Sequence, residues 1–169
     1  LLFMISKENL MRFLFCLFIL LINNAKSAEL IWDVYGNEEI LANYKYQNKL
    51  FLVYKSKNIV NTSIGLYGTS TCGGTIEVIE GATNNNFLCE VSINNHKVTL
   101  LFNKRSKGDM GSQTNGFDIV QGTGPWGEMV GQSCYGAYFQ LAEGSYMWKG
   151  KCKVPDKTID RMINYKEPQ

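Results

Sequence analysis

The sequence predicts an all-β protein: a single antiparallel β-barrel of about eight strands, ending in a short C-terminal helix or tail. Three observations carry this expectation. Short runs of alternating apolar and polar residues are separated by Gly and Asn, as antiparallel strands joined by tight turns require. The three prolines, Pro125, Pro155 and Pro168, fall outside those runs, where a missing ladder donor does no harm. Four cysteines, Cys72, Cys89, Cys134 and Cys152, remain once a leader segment is set aside, an even number suited to two disulfides.

The leader comes first in the chain. Arg12 precedes an unbroken apolar run, Phe13 to Ile22, after which Asn23-Asn24 and Ala25-Lys26-Ser27 resemble a cleavage site. This is the pattern of a secretory signal peptide over residues 1–27. The run is about half of the roughly 20 residues a helix needs to cross a bilayer. Residues 28–169 are then expected to form one exported domain, periplasmic or extracellular, with no stable transmembrane segment. Cys16 lies inside the apolar run and is expected to leave with it.

Removing the leader also removes the basic balance. Three of the 17 basic residues (Lys7, Arg12 and Lys26) and one of the 15 acidic residues (Glu8) belong to it, which leaves 14 of each. Such a chain has no electrostatic footprint for nucleic acid. Lys104-Arg105-Ser106-Lys107 lies among turn formers without interleaved aromatics and reads as a solvated loop.

Strands are expected at Leu30–Tyr35, Lys49–Lys55, Ile59–Tyr67, Gly74–Glu80, Phe87–Ile93, Lys97–Asn103, Gly116–Gln121, Cys134–Leu141 and Ser145–Cys152. Only Asn37–Asn43 and Asp156–Asn164 read as helical, the second following Pro155. Asn94-Asn95 suits the positive φ angles of a tight hairpin. That turn would point Cys89, Val91 and Ile93 the same way as Val98, Leu100 and Phe102.

A second hairpin is centred on Glu143, with Gly144 in the left-handed position. Pairing outward from it sets Tyr138 opposite Trp148, Gly136 opposite Gly150 and Cys134 opposite Cys152. Opposed residues at a non-hydrogen-bonded site lie about 4.5 Å apart at Cα, within reach of a disulfide. The expected bridges are therefore Cys134–Cys152 and, by elimination, Cys72–Cys89. A loop over Gly81–Asn86 would instead set Cys89 opposite Val78, so Gly73-Gly74 would have to fold the chain back. No cysteine pair has zinc-site spacing, His96 is the only histidine, and no metal or cofactor is expected.

The run Gly122-Thr123-Gly124-Pro125-Trp126-Gly127-Glu128-Met129-Val130-Gly131-Gln132-Ser133-Cys134-Tyr135 resembles a segment of exported bacterial proteins of unknown function related in pattern to allene oxide cyclase-like barrels. The resemblance extends over roughly Cys72 to Cys152. It implies a calycin/allene oxide cyclase-like barrel in which a glycine-rich corner leads into a pair of closing strands. It does not imply the cyclase reaction, because no motif here matches the catalytic residues of that family, and one fold hosts many functions.

Alternation across the Glu143 hairpin puts Tyr138, Tyr146 and Trp148 on one face and Met147, Lys149 and Lys151 on the other. The aromatic face is expected to form a core wall or to line a small apolar cavity. A ligand-binding set of Trp126, Tyr138, Tyr146 and Trp148, with Glu90 as a candidate carboxylate, follows. Glu77 is the other acidic candidate from a neighbouring strand. His96 sits at a turn and offers no catalytic triad. The expected function is binding of a small apolar ligand; the alternatives are an inhibitor with disulfide-braced loops that meet a partner protein, and a cyclase-like isomerase.

Overall fold

The computed structural model describes residues 27–142 and 144–167. The expected signal peptide, apart from Ser27, and the central hairpin residue Glu143 lie outside the described residues. Nine antiparallel strands form one sheet: β1 (Ser27–Tyr46), β2 (Lys49–Thr62), β3 (Tyr67–Ile79), β4 (Ala82–Ile93), β5 (His96–Phe102), β6 (Lys107–Gly108), β7 (Ser112–Gly122), β8 (Ser133–Ala142) and β9 (Ser145–Pro155). Each long strand pairs with its neighbour in sequence, β1 also pairs with β9, and β5 pairs with β7, so eight strands close into a ring. The two-residue β6 is an addition to β7. A 3₁₀ helix (Gly124–Met129) precedes β8, and helix α1 (Asp156–Ile163) follows β9.

The strands are longer than the alternation of apolar residues alone suggests. The expected helix at Asn37–Asn43 is instead the continuation of β1, paired with β2 from Trp32–Thr62 to Tyr46–Lys49. One residue, Leu41, is extra in this ladder, and its bulge shifts the inward-facing phase. The expected strands Lys49–Lys55 and Ile59–Tyr67 are largely one strand, β2. Its inward positions Ser56 and Asn58 are buried but polar, so the apolar period breaks while the strand does not.

The β3–β4 connection is also tighter than the expected Gly81–Asn86 loop. Glu80 and Gly81 carry φ angles of 51° and 82° and make a two-residue turn, so Ile79 pairs with Ala82 and Cys72 arrives opposite Cys89. The chain need not fold back at Gly73-Gly74. Gly74 does have a positive φ of 156°, and a Cβ there would meet the backbone of Asn86 and Phe87 on β4. The Asn94-Asn95 turn forms as expected, with φ angles of 49° and 65°.

Inward residues fill the two ends of the ring differently. At one end, Leu30, Trp32, Ile93, Val98 and Ile119 are fully or almost fully buried beneath Trp126 and Met129 of the 3₁₀ helix and Met162 of α1. Trp126 packs on Trp32 with ring centroids 4.9 Å apart. The glycine-rich corner is therefore a plug. Helix α1 follows directly on Pro155 and has Asp156 in its first turn and Arg161 in its last, charges that suit the helix dipole. Arg161 pairs with Glu128 of the 3₁₀ helix.

Both disulfides join neighbouring strands and face the interior. Cys134–Cys152 has a Cα separation of 4.6 Å and Cys72–Cys89 one of 4.0 Å. The outer face carries exposed or part-exposed ion pairs, Lys149–Asp33, Lys151–Glu29 and Lys97–Glu90 among them. No described helix is long and apolar enough to cross a membrane.

Candidate functional site

The other end of the ring is open, and a cavity of ≈ 80 Å³ lies beneath its mouth. Period-2 alternation aims one residue in two from each strand at this space. β1 supplies Val34 and Glu38, β2 Tyr54 and Asn58, β4 Asn85 and Phe87, β7 Gln113 and Asn115, and β8 and β9 Tyr138, Tyr146 and Trp148. Phe102 of β5 and the Cys72–Cys89 bridge form deeper wall.

The apolar part of the wall is a train of rings. Tyr54 meets Phe87 edge-on at 5.1 Å, Phe87 stacks on Phe102 at 4.5 Å, and Phe102 meets Trp148 edge-on at 5.7 Å. Such offset and edge-to-face pairs add about 0.5–1.5 kcal/mol each beyond their burial. The indole of Trp148 is held by an N–H bond to Asn115 Oδ1 at 3.2 Å and occupies the space above two glycines, Gly136 and Gly150.

The polar part is a connected network. Tyr146 O–H donates to Asn58 Oδ1 at 2.6 Å and lies 3.1 Å from Ser56 Oγ. Asn58 Nδ2 donates in turn to Ser70 Oγ at 2.9 Å. Gly36 makes room for this amide, since a Cβ there would lie 2.8 Å from Asn58 Cγ. Tyr138, whose ring lies 5.2 Å from that of Tyr146, donates its O–H to Glu38 Oε1 at 3.0 Å.

Burial pushes the Tyr146 phenol up to about 12, against the lowering effect of its contact with Ser56 and with a further rise from the Glu38 carboxylate. Burial first and Glu38 second also raise Tyr138. Tyr54 is raised by burial, then by Tyr146, Glu38 and Tyr138. All three phenols therefore stay protonated at neutral pH and act as neutral hydrogen-bonding groups.

Of the residues expected to bind a ligand, Tyr138, Tyr146 and Trp148 converge on the cavity. Trp126 does not. It is fully buried in the plug at the opposite end. Glu90 points outward and pairs with Lys97 at 2.8 Å, and the cavity wall does not include Glu77. His96 is half-buried beside the C-terminal segment, edge-on to Tyr165 and 3.6 Å from Glu167. Within the basic cluster, Ser106 is buried and accepts from Asn85 Nδ2 at 2.7 Å, while Lys104 pairs with Asp118.

Glu38, Asn58, Asn85 and Asn115 were not expected in the site. The signal for Glu38 was present: Leu30, Trp32, Val34, Gly36 and Glu38 keep a strict period of two, which the helical reading of Asn37–Asn43 cut short. The asparagines carried no such signal. No cluster of His, Cys, Asp and Glu suited to a metal occurs among the described residues. Comparison with protein-family models, with curated proteins and with solved structures found no match.

Proposed function

We propose that this chain is an exported binding module that carries a small, mainly apolar ligand inside a one-ended β-barrel. The observation that carries the reading is the difference between the two ends. Trp126, Met129 and Met162 plug one, whereas the other opens over a cavity walled by Tyr54, Phe87, Tyr138, Tyr146 and Trp148. A barrel of about eight strands is just wide enough to be filled by its own side chains, so space left at one end only is a specific departure. Apolar walls with a few convergent polar groups are what small-molecule sites have in common.

Export is supported by the leader pattern and by two disulfides, which persist in oxidising compartments. Pairing of β1 with β9 begins at Ser27–Pro155 and Ala28–Val154, so a mature chain starting near Ala28 keeps nearly the whole ladder. Both bridges tie neighbouring strands and neither braces a loop, which favours the carrier over an inhibitor or surface-interaction protein.

Native mass spectrometry of protein isolated from its own source tests the carrier reading. A retained small molecule that is released on unfolding is the expected result. Protein that carries none, and that takes up no small apolar probe, would overturn it.

A further inference from the structure

The cavity is one-sided in its charge. Among the described residues that line it, Glu38 is the only charged group. The one described polar contact of its carboxylate is the Tyr138 O–H, and no described lysine or arginine pairs with it. Lys55, on the strand paired with β1, is engaged by Glu39, the outward neighbour of Glu38.

A second uncompensated acceptor belongs to a residue of the same wall. Asn85 is 4% exposed and lines the cavity, and its Oδ1 has no hydrogen-bond partner. Its amide nitrogen is committed to Ser106 and, at 3.4 Å, to Gln113. The surrounding rings present negative π faces, which attract cations.

We infer that the ligand is a small organic cation, a protonated amine with a short apolar tail, with Glu38 as counter-ion. A carboxylate ligand would meet Glu38 with no base to compensate, and a low-dielectric site magnifies that repulsion. The cavity of ≈ 80 Å³ is small, so the tail is short. The ammonium would then sit toward the mouth, among Glu38, Tyr138 and Tyr146. This inference rests on the carrier reading and narrows it.

An isosteric series tests it: n-butylammonium, 1-butanol and butanoate, titrated calorimetrically at pH 7 into the disulfide-intact protein. The amine is expected to bind at least tenfold more tightly than the alcohol, and butanoate more weakly than either. Glu38→Gln should bring the amine down to the level of the alcohol, and Glu38→Asp should keep part of the preference. An amine that binds no more tightly than the alcohol, or a preference that survives Glu38→Gln, would overturn the cation assignment while leaving the carrier reading intact. If none of the three binds, both the cavity reading and this inference fail.

Discussion

Trp148 and Gly136 form an interlocked pair: a Cβ on Gly136 would lie 2.5 Å from the indole Cε2 and 2.7 Å from Nε1. Glycine is there because the indole already occupies the position of a side chain. Gly136→Ala should displace Trp148 from Phe102, Phe117 and Asn115 and destabilise the fold by about 1–3 kcal/mol, the usual range for overpacking. Denaturant midpoints and the tryptophan emission spectrum measure both effects. Gly127→Ala is the control, since its nearest neighbour would be 3.8 Å away, and it should be close to neutral.

The raised phenols fix a direction for alkaline stability. A tyrosine whose folded pKa exceeds its unfolded value of about 10 gives stability that is complete below pH 10 and lost as pH climbs through the folded value. For Tyr146 that window runs from about 10 to about 12. The unfolding midpoint should therefore be flat up to pH 9 and fall above pH 10. Absorbance at 295 nm should show a group of tyrosines that ionise only when the protein unfolds.

The Tyr146–Asn58 bond is buried at both ends. Tyr146→Phe leaves Asn58 Oδ1 without its donor and should cost about 1–3 kcal/mol. Chemical denaturation of the single and double variants checks this. Combining Tyr146→Phe with Asn58→Leu should cost less than the two single losses added together, because the Asn58 acceptor is then removed along with its donor.

Each disulfide closes a loop of similar length, with sequence separations of 17 and 18, which corresponds to roughly 3 kcal/mol apiece in the chain-entropy account. Paired Cys→Ser variants, compared by thermal unfolding, should show comparable losses. Only the Cys72/Cys89 pair belongs to the cavity wall, so only its removal should also change ligand uptake.

Glu90→Gln should leave binding untouched and alter stability by less than about 1 kcal/mol, as befits an exposed ion pair. Side-by-side calorimetry with Glu38→Gln separates the outward carboxylate from the inward one.

How far the sequence was legible follows from what each interior position holds. Where inward residues are apolar or cysteine, as in the second half of β4 and in β5 and β9, alternation and turn chemistry gave facing and register: Tyr138 does pair with Trp148, and Cys134 is bonded to Cys152. Where inward residues are polar, the period vanished. Ser56 and Asn58 divided β2 in two on paper, and Asn84 to Asn86 read as loop although they belong to β4. Those interruptions are the site itself, since the hydrogen bonds that make a buried asparagine tolerable come from strands remote in sequence. Trp126 was misplaced for the opposite reason: a glycine-rich corner gives no sign of whether its aromatic looks into a cavity or closes it.

The ladder between β5 and β7 has four residue pairs and is interrupted by a register shift, whereas β1 and β9 share eleven. That makes it the seam of the wall. Near the unfolding transition the ring should unzip there first and relax into a curled ribbon, while the covalent staples within β3–β4 and β8–β9 keep either flank in register. Amide hydrogens that bridge β5 and β7 would then exchange with solvent sooner than those that bridge β1 and β9, and resealing would require only one short stretch to find its mate.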